Sequence, residues 1–424
     1  MSQDTLKVTI NGTGFAGNYT AQVYGMIPHK NGLQIELAGV CSGHLENAEK
    51  FAQKHGISKA YENHREMVHT IQPDIDNIAC ANYAHGPYVI EAAEAGVNVI
   101  VLEKPPVVWP GYPEGREADA ETKKRESMEF LATVLDTVKK HGAKLLYAED
   151  FVYFDGVKGM VEFLTQAQKI NKGKILYQRG ICAHQGSHAP AYDTPSLSGG
   201  GALFNKACHP LGPILYLKQV EGILTNGKPI RPQKVSAVAL QILKYQPESS
   251  GEHFRVMQNV DDFARITICF EDQTVAEVLG YDLSISGIKN ELYLITDCAQ
   301  YDIRINPNNA NEIFLPLENA SGDILFREKL PTSQGTSFPQ PNQFHAHGYV
   351  NEMNDAVDCA LDPDRYPQSG PLMAWDTMAV LMASYESSDK NAVFIDLTEY
   401  LEARTFDNTE IPNPEKFGTV FQKR

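Results

Sequence analysis

Gly12-Thr13-Gly14-Phe15-Ala16-Gly17 is a G-x-G-x-x-G run placed directly after the apolar segment Val8-Thr9-Ile10, where a helical pattern from Phe15 to Met26 begins. In that setting each glycine has a task. The first permits a tight turn, the second lets a pyrophosphate approach the backbone, and the third lets helix and strand pack closely. The helix N-terminus then offers N–H groups and a partial positive charge to the phosphates. No Gly-Lys-Ser/Thr follows, which excludes a P-loop. The expected ligand is a dinucleotide held at Gly12, Gly14, Phe15, Ala16 and Gly17. The end of the next strand reads Val40-Cys41-Ser42-Gly43-His44. It has neither the acid that binds the ribose of NAD nor the Arg that accepts the extra phosphate of NADP. Ser42 can hydrogen-bond a ribose, and the lack of a nearby Arg favours NAD while leaving NADP open.

A second set of residues is suited to an alcohol. Lys104, in Val101-Leu102-Glu103-Lys104-Pro105-Pro106, stands at the carboxyl end of a strand-like run. Near a nicotinamide, its ammonium can hydrogen-bond a reacting oxygen and stabilise negative charge there. His209 ends the segment Ser198-Gly199-Gly200-Gly201-Ala202-Leu203-Phe204-Asn205-Lys206-Ala207-Cys208-His209. An imidazole titrates near neutral pH and makes a suitable base; the alternative is a histidine buried against a sheet. Asn205 lies four residues earlier, so a helix through this stretch would place both on one face. Upstream, His184 and His188 could join Cys182 and His209 around a metal, but Gly180 and Gly186 make that stretch a poor helix, and no metal is expected. His345 and His347 raise the same idea and meet the same objection. Glu149, Asp150 and Tyr153 follow the last strand of the first half, where they would face a cleft. Tyr153 is expected to touch substrate, and the two acids to be solvated or capping.

These segments resemble the Gfo/Idh/MocA family of NAD(P)-dependent sugar and cyclitol oxidoreductases. The likeness rests on the strand ending in Glu103-Lys104-Pro105, the spacing Asn82-x-x-His85, the glycine-rich stretch ending at His209, and the late segments Gly348-Tyr349-Val350-Asn351-Glu352-Met353 and Ala383-Ser384-Tyr385-Glu386-Ser387. These come in the family's order and cover nearly the whole chain. The resemblance implies two domains with the site at their junction. It implies Asn82, His85, Glu103 and Lys104 at the cofactor, Lys104, Asn205 and His209 as the catalytic set, and Tyr153, His184, His188, Asn205 and His209 around the substrate. It also implies oxidation of a secondary hydroxyl of a sugar, glycoside or cyclitol, at C3 of glycosides in some members, and a homo-oligomer built on open sheets packed face to face. One departure stands out. The family usually ends its glycine-rich segment in Asp-x-Gly-x-His, and the Asp works with the His; here that position is Asn205. An amide can fix an alcohol or an imidazole, but it cannot accept a proton or stabilise an imidazolium by charge. Two further readings follow: glycoside cleavage with tightly bound NAD and no net redox change, or a non-catalytic cofactor-binding regulatory subunit.

The elements that must position these residues follow from pattern and composition. The 424 residues carry 37 Lys+Arg and 53 Asp+Glu, a net charge of −16, with 42% hydrophobic residues. That composition suits a globular protein of two or three domains. Its acidity argues against nucleic acid or an anionic membrane as partner. Seven dispersed cysteines without a C-x-x-C pair, and an N-terminus without a signal-like segment, point to the cytoplasm. Residues 1–152 alternate strand and helix patterns, which predicts a Rossmann-type, doubly wound parallel sheet. Residues 153–424 read as an α+β domain with a large, open, mostly antiparallel sheet, to which the resemblance assigns substrate binding and the oligomer contact. Between Trp109 and Arg125 the pattern breaks into what reads as an exposed, solvated insertion.

Overall fold

The computed structural model describes residues 5–27, 32–186, 190–246, 254, 256–285, 287–307, 313–315, 317–318, 334–337 and 347–417. Strands β1 (Thr5–Asn11), β2 (Gln34–Cys41), β3 (Ala60–Tyr61), β4 (Ile75–Ile78), β5 (Val99–Glu103) and β6 (Lys144–Ala148) form one sheet. Its order is β3-β2-β1-β4-β5-β6, and every neighbouring pair is parallel. β4 and β6 are buried at every position, as strands covered on both faces must be. The order reverses between β1 and β4, and a ligand crevice forms at the carboxyl ends of strands at such a switch point.

The helices of this half are α1 (Phe15–Tyr24), α2 (Leu45–His55), α3 (His64–Ile71), α4 (His85–Glu94) and α5 (Ala120–Lys140). β3 and α3 were not legible as separate elements: the strand has two residues, and α3 depends on the Asn63 side chain capping Glu66 N. Residues 113–117 and 119 are exposed, as expected of a solvated insertion, but the segment is anchored where it begins. Trp109 is 1% exposed and follows the buried Val107 and Val108. Its Nε1 donates to Glu126, while Arg116 and Lys123 lie over its ring at 5.1 and 5.2 Å. The apolar run anchors the segment, and the two cations shield the indole face. α5 then starts at Ala120, with Asp119 capping Thr122 N.

The second sheet contains β7 (Ile175–Ala183), β8 (Pro232–Leu240), β9 (Phe263–Phe270), β10 (Val275–Tyr281), β11 (Lys289–Thr296), β12 (Gln300–Asn306) and the short strand Ile395–Asp396. Its order is β12-β11-β7-β10-β9-β8 followed by Ile395–Asp396, and only β7–β10 is parallel. β9, β10 and β11 alternate buried and half-buried positions, so one face holds the core and the other is open. α6 (Asp155–Gln168) and the long α9 (Cys208–Asn226) pack against each other, and α9 lies on β7. A separate two-stranded ribbon pairs Ile313–Leu315 with Gly335–Ser337.

The last third of the chain ties the halves together. The helix Tyr349–Leu361 returns to the first sheet, with Tyr349 against the ring of Tyr19 at 4.3 Å. Lys144 Nζ donates to the carbonyls of Cys359 and Asp362, and Ser369 Oγ donates to the Tyr147 carbonyl. The helix Pro371–Asp389 packs on both α5 and β8. All seven cysteines are free thiols. Among the described residues, no helix is long and apolar enough to cross a membrane.

Candidate active site

The glycine turn joins the end of β1 to α1 at the switch point. Gly12 has φ +120°, and a Cβ there would stand 2.2 Å from the Ala79 carbonyl oxygen after β4. No other residue type fits that approach. A Cβ on Gly17 would meet the Gly12 carbonyl oxygen at 2.0 Å, whereas one on Gly14 would meet nothing within 4 Å. The turn is therefore packed on its protein side and open on the other. α1 has no side-chain cap at Gly14, Phe15 beside it is 68% exposed, and Ala16 is half-buried. An open helix N-terminus with a bare backbone approach fits a dinucleotide pyrophosphate. Thr13 Oγ1 reaches Ser42 Oγ at 3.4 Å, so Ser42 borders this turn from the end of β2.

Two other residues expected at the cofactor are committed elsewhere. Asn82 Nδ2 donates to the Ser198 carbonyl at 2.7 Å and lies 3.4 Å from Asn205 Oδ1; it bridges the two halves. His85 is fully buried, its Nδ1 2.7 Å from the Pro105 carbonyl oxygen and its Nε2 3.3 Å from that of Cys80. Burial lowers its pKa to about 4. This corrects its role: a neutral His85 braces the backbone around Lys104 and has no ring nitrogen turned to a ligand.

Glu103 and Lys104 end β5. The Tyr19 hydroxyl of α1 donates to Glu103 at 2.7 Å, and burial pushes this carboxyl up to about 7. Burial works against the Lys104 ammonium, yet the acids around it, Glu103, Glu149 and Asp150, hold its pKa above the ordinary lysine value. Lys104 thus stays charged in a partly enclosed site.

The glycine-rich segment does not form one helix. α7 (Pro195–Ser198) ends at Gly199, and α8 (Ala202–Asn205) is a single turn. The chain breaks at Lys206-Ala207, and α9 begins at Cys208. Asn205 therefore closes one helix and His209 opens the next, so the shared helix face is not formed. The break fits closely on the sheet: a Cβ on Gly280 of β10 would stand 2.5 Å from Ala207 N. Asp261 fixes the turn. Its carboxylate accepts from Gly201 N (3.1 Å), Leu203 N (2.6 Å) and the Tyr385 hydroxyl (2.8 Å). Asn205 Nδ2 donates to the Gly200 carbonyl at 2.7 Å, with the Ser198 and Gly201 carbonyls within 3.5 Å. Position 205 is thus built for a donor. Asn205→Asp, although it restores the acid of the family pattern, is expected to cost about 1–3 kcal/mol by facing a carboxylate against carbonyls. Thermal unfolding checks this, and a melting temperature at or above the wild type's contradicts it.

His209 has a partner that sequence reasoning missed. Its Nδ1 lies 3.0 Å from Glu149 Oε1 and 3.4 Å from Asp150 Oδ1. Both acids are buried, Glu149 completely, which corrects the expectation of solvated or capping acids. Burial lowers the His209 pKa, Glu149 raises it, and Lys104 and Lys206 press it down. Glu149 is pushed up to about 7, chiefly by burial. Glu149, Cys208 and His209 bring donor atoms within 4.8 Å of one another. The imidazole–carboxylate hydrogen bond accounts for this cluster, and burial holds the Cys208 thiol well above its ordinary pKa. His184 and Cys182 do not join it. His184 Nδ1 is 3.8 Å from Asp282 Oδ1, as is Lys206 Nζ, and the Tyr192 hydroxyl donates to Asp282 Oδ2. Asp282 organises this side of the site, and its place just after β10 was the only signal for it.

Tyr153 does not touch the cleft. It is 1% exposed, its hydroxyl donates to Asp355 and accepts from Ser369 N, and it braces the junction. This corrects the substrate-contact expectation, which took the residue's position for its direction. His188 and His345 lie outside the described residues, while His347 is buried beside Asn306.

Residues 6–132 match the model of an oxidoreductase family with an NAD-binding Rossmann fold, Gfo/Idh/MocA. The chain is 24% identical over 222 residues to a D-glucoside 3-dehydrogenase of Escherichia coli K12, covering 51% of this chain and 55% of that protein, about half its length. It is similar in structure to GenD2 from gentamicin A biosynthesis in complex with NAD, at TM-score 0.74 and 18% identity over 93% of this chain and 97% of that one. It is also similar to the scyllo-inositol dehydrogenase of Lactobacillus casei with NAD(H) and scyllo-inositol, at TM-score 0.67 and 16% identity over 93% and 99%. At these identities the likeness establishes a shared fold across both domains.

Proposed function

We propose that this protein is an NAD-dependent dehydrogenase that oxidises a secondary hydroxyl of a sugar, glycoside or cyclitol, with C3 of a glycoside as the favoured position. The observation that carries the reading is His209, whose Nδ1 is held by Glu149, within reach of the charge of Lys104 at the end of the first sheet. Lys104 binds the hydroxyl oxygen and stabilises the charge that develops on it. His209 takes the hydroxyl proton at Nε2, the nitrogen left when Nδ1 is engaged. Nicotinamide, when bound, accepts the hydride from the carbinol carbon. His184, Lys206 and Asp282 line up as contacts for the remaining hydroxyls. The D-glucoside 3-dehydrogenase relative supports C3 as the reacting position.

Two assays test the reading. With NAD and 4-nitrophenyl glucoside, NADH should accumulate without release of nitrophenol; nitrophenol without NADH would favour net-neutral glycoside cleavage instead. A methyl glucoside deuterated at C3 should pass its deuterium to the cofactor, and retention of the label would refute that position. The regulatory-subunit reading loses its one support, since a carboxylate reaches His209 from Glu149. The half-open face of the second sheet, with Tyr177, Glu277 and Tyr293 on it, supports a homo-oligomer; a monomer mass in light scattering would exclude it. The free thiols favour a reducing, cytoplasmic setting.

A further inference from the structure

We propose that Glu149, and not residue 205, is the carboxylate that positions His209 and stabilises its protonated form during alcohol oxidation. This rests on the dehydrogenase reading above. Three observations carry it. Glu149 Oε1 sits 3.0 Å from His209 Nδ1, with the carboxylate fully buried. α9 leaves a gap for it: a Cβ on Gly212 would stand 2.3 Å from Glu149 Cγ. Finally, Asn205 points its amide at backbone carbonyls and is wired as a donor. Position 205 carries no acid, and a carboxylate just after β6 holds the imidazole.

In the step so assisted, the hydroxyl O–H bond breaks and its proton binds His209 Nε2. The carbinol C–H bond breaks with both electrons leaving as hydride to NAD, which becomes NADH, and the carbinol becomes a ketone. The imidazolium keeps Nδ1–H donated to Glu149, so its new charge meets a carboxylate. Glu149 is a positioning residue, acting through His209. The charged neighbours have opposing effects. Lys104 and Lys206 disfavour imidazolium, while Asp150 and Glu352 press on Glu149. His347 is neutral, its pKa lowered to about 4.

The test has two parts. In wild-type enzyme without ligands, 15N NMR of His209, assigned by its loss in His209→Gln, should show the neutral ring as the Nδ1–H tautomer. The Nε2–H tautomer would overturn the proposal, whatever the activity. In the second part, kcat for a methyl glucoside is followed against pH. Glu149→Gln keeps the shape but loses the charge, so kcat should fall about 100-fold. Its acid limb should move to lower pH, because imidazolium has lost its counter-charge. Glu149→Asp should return the limb toward the wild-type position. A Gln variant with the wild-type limb and kcat, or an Asp variant no closer to wild type than Gln, overturns the proposal. If no polyol yields NADH, the dehydrogenase reading falls, and the tautomer alone decides the pairing.

Discussion

Lys104→Ala should lower kcat/KM for the oxidised hydroxyl by about 1,000-fold, the scale expected when the main stabiliser of a developing oxyanion is removed. The loss should appear mostly in kcat, because the ammonium meets its strongest partner only as the hydroxyl oxygen gains charge. NADH affinity should change little, since the pyrophosphate is expected at Gly12–Gly17. Lys104→Arg should rescue poorly, for a planar guanidinium does not replace a compact ammonium fitted among Glu103, Glu149 and Asp150. Steady-state kinetics with NADH binding measured by fluorescence checks both points. A kcat within tenfold of wild type for the Ala variant would remove Lys104 from the reaction.

The second large effect belongs to His209. His209→Gln should reduce kcat by about 10²–10⁴-fold, the usual range for loss of a general base. The remaining rate should climb with pH without the wild-type plateau, because solvent hydroxide must then take the proton. The wild type behaves differently. Burial and the two lysines lower the His209 pKa while Glu149 raises it, so the imidazole is the working base once the pH exceeds that value. Activity therefore falls as the solution is acidified through it. A variant with the wild-type pH profile would show that the base lies elsewhere.

Much of this arrangement was legible in the chain. Glycines 12 and 17 mark the turn because a Cβ on either would collide with backbone, at Ala79 and at Gly12 respectively, and such a constraint leaves a direct trace in residue type. Lys104 and His209 were legible because each stands in a motif, Glu103-Lys104-Pro105 and the glycine-rich stretch Ser198–His209, that resembles the family's. The partners of those residues were not. Glu149 and Asp150 looked like surface acids after a strand, since burial is set by α9 and the helix Tyr349–Leu361, distant in sequence. Tyr153 and His85 were misassigned for a related reason: spacing places a residue near a site but does not say which way its side chain turns. The missing acid at position 205 appeared to weaken the chemistry, while the compensating carboxylate lies 56 residues earlier. Only the packing of Gly212 against Glu149 brings it into range.

NADH formation by the purified protein is the most direct measurement. Wild type and Lys104→Ala are supplied with NAD and, in turn, methyl glucoside, myo-inositol and scyllo-inositol, and absorbance is followed at the NADH band. At least one polyol should yield NADH with the wild type, and none should do so with the variant at a comparable rate. Equal rates from both proteins, or no NADH from the wild type with any of these polyols, would contradict a dehydrogenase centred on Lys104 and His209.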